Sequence, residues 1–334
     1  MALSLKPLDQ QVIVITGASS GIGLVTARTA AARGAKVMLV ARSEDALRRI
    51  VEEITAAGGT AAYQVADVGD AAAMEAAAQA TVARFGRVDS WINNAGVAIY
   101  AKLLDTPLAD HERLIRTNYF GVVNGCAAAV PALAAGGALI TVGSIASDVA
   151  SPIMGVYSAS KHAVAAYVEV LRQELEATGA PISVTLIKPS GIDTPIAQHA
   201  AVHADGAGRL PPPVYDPQLV ADAILDAAVR PRRAITVGGA GRAQELFAAH
   251  FPALFDWLAP VAAKSFTDQA DQQPRPSNLF EGGVRAGEER SGVQSGRRFS
   301  VYTAAARHRP VAGLVALGAI GGGLALAAMG RRRG

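Results

Sequence analysis

Three side chains within Gly143 to Lys161 (G-S-I-A-S-D-V-A-S-P-I-M-G-V-Y-S-A-S-K) have the types needed to move a proton on and off an oxygen. Ser144 follows an apolar run, Ala138 to Val142, and Tyr157 and Lys161 come later, four positions apart. A helix beginning near Tyr157 puts these two on one face, one turn apart, so a phenol and an ammonium share a site. A free phenol titrates near ~10 and exchanges protons poorly at neutral pH, but a neighbouring cation favours the phenolate and draws that value down. Ser144, arriving at a strand end, is in a position to donate a hydrogen bond to the same substrate oxygen. By itself a Y-x-x-x-K pair is usually two solvated neighbours on a helix surface, so the elements that carry it have to decide.

Those elements alternate. Gln11 to Thr16 (Q-V-I-V-I-T) is a β-branched run of the kind that forms a strand buried on both faces. Gly17-A-S-S-Gly21-I-Gly23 follows and opens a helical pattern, Leu24 to Arg33. Strand, glycine-rich turn and helix in that order suit a dinucleotide pyrophosphate: glycines let the backbone approach, and the free amides of the helix start stabilise the charge. Lys36 to Ala41 is a second strand. At its end an acidic residue would accept from adenosine ribose hydroxyls, whereas Ala41, Arg42 and Ser43 stand here, so NADP is expected over NAD. Further strands are expected at Thr60 to Val65, Ser90 to Asn93, Gly137 to Val142, Ser183 to Lys188 and Ala234 to Val237. Helices are expected at Ser43 to Ala57, Ala71 to Phe85, Leu108 to Leu133, Tyr157 to Thr178 and Leu219 to Val229. This predicts an α/β protein with a doubly wound, parallel β-sheet of Rossmann type, one catalytic domain with a C-terminal extension. Ligands of such sheets lie beyond the carboxyl ends of the strands, where Gly17, Asn94, Ser144 and Pro189 fall. Asp67 and Val68, at the tip of the third strand, are placed for an adenine edge, and Asn94, Ala95 and Gly96 for close backbone contact. Asn118 interrupts a long helical pattern and asks for a polar task.

Composition narrows the remaining classes. The chain has 334 residues, 51% hydrophobic and 18% charged, ample for a large core. Its net charge of +3, from 31 basic and 28 acidic residues, owes much to C-terminal arginines and gives no reason to expect nucleic acid. The single cysteine, Cys126, excludes an intrachain disulfide and a thiolate cluster. The histidines, among them His111, His162, His199 and His203, have no metal-ligand spacing, so no metal is expected. The opening residues, M-A-L-S-L-K-P-L-D-Q, lack the continuous apolar stretch expected of a secretory signal, and a cytoplasmic catalytic domain is expected.

Six blocks in one order closely resemble the classical short-chain dehydrogenase/reductase family over residues 8 to 240. They are Thr16 to Gly23 (T-G-A-S-S-G-I-G), Asp67-Val68, Asn93 to Gly96 (N-N-A-G), Asn118 with Ser144, Tyr157 to Lys161 (Y-S-A-S-K), and Pro189 to Thr194 (P-S-G-I-D-T). The resemblance implies a hydride transfer between a nicotinamide cofactor and an alcohol or ketone. Tyr157 would be acid in reduction and base in oxidation, and Lys161 would tune it and hold the nicotinamide ribose. Ser144 would bond the substrate oxygen, and Asn118 would fix a water linked to Lys161. It implies cofactor contacts at Gly17, Ser19, Ser20, Gly21, Ile22, Gly23, Arg42, Ser43, Asp67, Val68, Asn94, Ala95, Gly96, Tyr157, Lys161, Pro189, Ile192 and Thr194. Many relatives have Pro-Gly after the sixth strand where this chain has Pro189-Ser190-Gly191.

Substrate walls are expected from Val97 to Tyr100, Ile145 to Met154 and the loop Pro195 to Pro213. Ile99, Tyr100, Val149, Ile153, Met154 and Ile196 favour a hydrophobic alcohol or ketone over a sugar or an acid. The divisions expected are a catalytic domain over 1–240, an additional helical segment over 241–264, a flexible polar linker over 265–309 and an apolar helix over 310–330. Nineteen apolar residues, Val311 to Met329, span roughly 28 Å as a helix, close to a bilayer's hydrocarbon core, so membrane association through that segment is expected. Homo-oligomerisation is a further expectation. The rival reading is an NADP-sensing or scaffold protein tethered at a membrane, disfavoured because none of Asn118, Ser144, Tyr157 and Lys161 is missing.

Overall fold

In a computed structural model, residues 3–273 and 275–307 are described. Seven strands, β1 (Val12–Thr16), β2 (Lys36–Ala41), β3 (Thr60–Val65), β4 (Ser90–Asn93), β5 (Gly137–Val142), β6 (Ile182–Pro189) and β7 (Ala234–Val237), form one sheet. Their order is β7-β6-β5-β4-β1-β2-β3 and every pairing is parallel. The chain runs outward from β1 in one direction, returns, and runs outward in the other, so the order reverses between β1 and β4 and leaves a crevice at their carboxyl ends.

Each crossover supplies a helix: α1 (Gly21–Ala32), α2 (Glu44–Ala56), α3 (Ala71–Phe85), α4 (Leu108–Ile115) continuing into α5 (Gly121–Ala132), α6 (Gly155–Ala177) and α7 (Pro217–Val229). They cover both faces of the sheet. Ile13, Ile15, Leu39 and Ile140 pack on one side with Leu24, Leu47 and Ile224. Val14, Met38, Trp91 and Leu139 pack on the other with Met74, Val122 and Val164. Alternate residues of each strand thus enter opposite core layers, which is why β1 reads as an unbroken apolar run. Local signals fix the ends: the Asp70 carboxylate accepts from the Ala72 and Ala73 amides, and Gly86 closes α3 at φ +83°.

The long pattern from Leu108 to Leu133 is not one regular helix. Arg116–Phe120 is a π-helical turn between α4 and α5, and Asn118 lies at its middle. The extra residue in that turn faces Asn118 inward, where its side-chain oxygen accepts from the Val97 amide at 2.9 Å. Its amide donates to the Val97 carbonyl and to Ser160 Oγ, at 3.0 and 3.1 Å. The polar interruption is thereby accounted for: it ties the loop after β4 to α6.

The segment 241–264 folds as two helices, α8 (Gly239–His250) and α9 (Pro252–Ala263). They part at Phe251 (φ −131°, ψ 57°) because the ring of Pro252 disfavours a helical residue before it. Phe251, Leu254, Trp257 and Val261 remain exposed on them. The expectation of a flexible linker over 265–309 is corrected for its described part. Leu279, Ser291 and Thr303 are buried, and the segment crosses back over the carboxyl ends of the strands before α10 (Val301–Arg307). Its polar composition hid this, because the contacts are made largely by backbone groups and ion pairs rather than by an apolar stripe. Among the described residues no helix is long and apolar enough to cross a membrane, and the apolar stretch 310–330 lies outside them.

Candidate active site

The glycine-rich turn is held by contacts that leave no space for side chains. A Cβ on Gly23 would stand 2.2 Å from the Gly17 carbonyl oxygen, and one on Gly17, at φ +65°, 2.7 Å from the Ala95 Cα. The Asn94 amide donates to the Thr16 and Gly17 carbonyls at 2.9 and 3.2 Å, locking the turn to the end of β4. Asn93 does something else: it is buried, accepts from the Trp91 indole and donates to Cys126, a core role.

One continuous cleft runs from this turn along the strand ends. Its lining includes Gly17, Ser19, Ser20, Gly21, Ile22, Arg42, Ser43, Asp67, Val68, Asn94, Ala95, Gly96, Ser144, Tyr157, Lys161, Pro189, Ile192 and Thr194. Of the expected cofactor contacts only Gly23 lies beneath, where its role is to let the turn close. Asn118 lies behind the wall, bonded to Val97 and Ser160, so of the four expected catalytic residues three meet in the cleft.

At the far end Ser144 caps the short turn Ile145–Ser147, its Oγ accepting from the Ala146 amide at 3.0 Å while its own amide donates to Ser147 Oγ at 3.2 Å. The hydroxyl proton of Ser144 is left free to turn toward the neighbouring Tyr157 phenol. Helix α6 starts at Gly155, before Tyr157, and brings Lys161 beneath it, with Nζ 5.6 Å from the Tyr157 ring centroid. Lys161 is 4% exposed and donates to the Val142 carbonyl at 3.0 Å. Burial dominates both titrations. It pushes the Tyr157 phenol up, against the opposing bond from Ser144, and it draws Lys161 down to about 8. The expected lowering of Tyr157 by Lys161 is therefore corrected: at this separation the cation does not offset the loss of water around the phenol.

The opposite end is electropositive. Arg42 and Arg113 approach each other across Asp67, whose carboxylate accepts from Arg113 at 2.6 Å and from the Gly69 amide at 2.9 Å. Burial raises the Asp67 carboxyl, but the Gly69 amide and Arg113 outweigh it and hold the group below the usual carboxylate range. His199 faces this end, pulled down to about 4 first by burial and then by Arg285 and Arg42, so it is neutral.

Between the two ends the walls are apolar. Met154 and Ile196 line the cleft as expected, with Ile145, Leu210 and Pro211 from the expected wall segments, and Phe266 joins them from outside those segments. Ile99, Tyr100, Val149 and Ile153 do not: Ile99 and Tyr100 are 1% and 0% exposed in satellite cores, Val149 is buried, and Ile153 packs beside Tyr100 at φ +67°. His199 falls in the expected wall loop Pro195 to Pro213, and two further participants gave no sign in the sequence. Asn278, on the cleft wall, and Arg113, which reaches it only through Asp67 and Leu279, have no motif around them and are placed by tertiary packing alone.

The cleft fits a nicotinamide dinucleotide. Its floor at the glycine-rich turn is a backbone cradle that any Cβ would fill, and the buried Thr117 hydroxyl on its wall has no protein partner.

A doubly wound parallel sheet, a glycine-rich turn at its order reversal, and a serine, tyrosine and lysine gathered at the strand ends together define a Rossmann-type oxidoreductase. Residues 11–204 match the short chain dehydrogenase family model, and the chain belongs to the short-chain dehydrogenase/reductase family. It is 40% identical over 332 residues to an uncharacterized oxidoreductase, YxnA, of Bacillus subtilis (strain 168), covering 94% of this chain and 91% of that protein. It is 32% identical over 278 residues to dehydrogenase/reductase SDR family member 7B of Danio rerio, covering 79% and 89%. Among solved structures it resembles a short chain dehydrogenase/reductase from Burkholderia phymatum in complex with NAD, with TM-score 0.63, 29% identity and 75% and 96% coverage. It also resembles an alcohol dehydrogenase from the archaeon Thermococcus sibiricus complexed with 5-hydroxy-NADP, with TM-score 0.60, 27% identity and 68% and 95% coverage.

Proposed function

We propose that the protein transfers a hydride between NADP(H) and a hydrophobic alcohol or ketone, with Tyr157 as the proton-exchanging group. The observation that carries this reading is the meeting of Ser144, Tyr157 and Lys161 in one cleft with the glycine-rich turn. The nicotinamide, when bound, supplies or accepts the hydride. The chain supplies the rest. A phenol pushed up by burial stays protonated at neutral pH, which makes Tyr157 a proton donor to a carbonyl oxygen in the reductive direction. Ser144 already accepts from the Ala146 amide, so its own O–H is free to turn to the same oxygen and stabilise charge developing there. Asn118, through Val97 and Ser160, fixes the wall that holds Tyr157 and Lys161. Ile145, Met154, Ile196, Leu210 and Phe266 supply an apolar, water-poor surround that favours a hydrophobic substrate. The test is NADPH oxidation by the purified protein against a panel of hydrophobic ketones. Dinucleotide binding without turnover across a broad panel would favour a sensor instead.

The NADP preference is supported by charge: two guanidiniums, Arg42 and Arg113, face one carboxylate, Asp67, at the adenosine end. Arg42→Ala is expected to weaken NADPH binding by roughly 10- to 100-fold and NADH by only a few-fold, the scale of one lost charge-assisted contact. Titration calorimetry with both dinucleotides checks it, and equal losses would remove the argument for phosphate recognition. Association of the 310–330 stretch with a membrane, and self-association of subunits, belong to the same proposal.

A further inference from the structure

The family model ends at residue 204, and the chain that crosses the cleft comes from far beyond it. Residues 278–291 run along the cleft from the adenosine end to β6, and their anchors fall on the parts that recognise a nucleotide. Arg42 donates to the carbonyls of Asn278, Leu279 and Phe280. Arg113 Nε donates to the Leu279 carbonyl at 2.8 Å. The Gly21 amide, at the glycine-rich turn, donates to the Glu288 carbonyl at 2.8 Å, and the Gly287 amide to the Ser19 carbonyl at 2.8 Å. Beyond the turn, the Ser291 amide donates to Asp193 at 3.1 Å and Arg290 is paired with Asp216 at 3.0 Å. Asn278 also closes the loop on itself, exchanging two side-chain bonds with the Val284 backbone, and its backbone N–H donates to the His199 carbonyl in the substrate loop at 2.8 Å. Asn278, Gly282 and Gly283 line the same cleft as Gly17, Arg42 and Ser43.

Building on the dinucleotide reading above, we propose that residues 278–288 form the outer wall of the adenosine half of the cofactor site. The adenosine half of the dinucleotide lies in the cleft beneath this strap, which closes onto the glycine-rich turn, and it enters or leaves only when the strap's anchors open. The strap is held mainly by backbone carbonyls on guanidinium and amide donors, with Leu279 its one side chain sunk in a hydrophobic cluster, so release uncovers little apolar surface. That suits a wall that must open. The bond from Asn278 to His199 joins it to the substrate loop, so cofactor closure and the substrate wall move as one.

Two variants test this, read as the rate at which excess NADP displaces fluorescent NADPH in a stopped-flow instrument. Asn278→Ala removes both bonds that close the 278–284 loop, and dissociation is expected to quicken roughly tenfold or more. The double variant Ser43→Cys with Gly283→Cys locks the strap shut. A Cβ built on Gly283 stands 3.6 Å from the Ser43 Cβ, within the ~3.5–4.5 Å of a disulfide. The native Cys126 is buried, its thiol pushed up to about 12, and stays out of the exchange. Gly283 lies at φ +96°, which strains a cysteine there, so the comparison is within one protein, oxidised against reduced. The oxidised form is expected to exchange NADPH at least roughly tenfold more slowly than the reduced form. Equal rates in both redox forms, together with a wild-type rate for Asn278→Ala, would overturn the strap while leaving the cofactor assignment intact. Failure of the wild-type chain to bind NADPH or NADH would overturn both.

Discussion

Tyr157→Phe is expected to lose roughly 10²- to 10⁴-fold in turnover, the range for removal of a general acid, while NADPH binding changes by less than about threefold. The substitution removes one hydroxyl beside Ser144 and keeps the ring that Lys161 faces. Single-turnover rates with NADPH and the best ketone of the panel, beside equilibrium binding, separate the two effects, and a variant that keeps most of its activity would refute the acid assignment. The pH profile gives an independent reading. Lys161 is drawn down to about 8 by burial, so its charge is present below that pH and lost above it. Ketone reduction is expected to be flat through neutrality and to decline above about 8, as the lysine discharges while the phenol, pushed up by burial, keeps its proton. For folding the sign is opposite: the unfolded lysine holds its proton to higher pH than the folded one, so this group adds stability as pH rises above about 8.

Gly23→Ala is expected to reduce dinucleotide affinity by roughly 10²-fold and to lower stability by about 1–3 kcal/mol, the usual cost of overpacking a closed site. The added methyl would stand 2.2 Å from the Gly17 carbonyl and 2.6 Å from the Asn94 amide, and neither can withdraw freely. Gly17 is fixed against Ala95, and Asn94 is bonded to both Thr16 and Gly17. The turn must open, and the cradle opens with it. Calorimetry for binding and thermal unfolding for stability check the two parts, and a Gly23→Ala variant with wild-type affinity would show that the close approach at this turn is not what shapes the nucleotide site.

Much of this was legible without coordinates, for a local reason. Buried parallel strands are short β-branched runs, and Val12–Thr16 and Ala234–Val237 lie at or within one residue of their expected bounds because hydrophobic periodicity and turn residues are local properties. Asp70 and Gly86 announce the ends of α3 in the same way. The site was legible because motif residues sit at strand ends whose order the sequence implies. The π-turn at Asn118 was visible only as an oddity, a polar residue where a helix should be smooth.

By itself, then, the sequence determined the sheet, the helices that cover it and the gathering of Ser144, Tyr157 and Lys161, because each follows from short-range spacing and the direction of a parallel strand. The tertiary structure decided what long-range packing controls. It turned Ile99 and Tyr100 into core, set burial above the lysine in fixing the phenol, and folded a polar C-terminal stretch over Arg42 and the glycine-rich turn. Backbone carbonyls have no residue code, so a wall built from them is invisible until the chain has closed on itself.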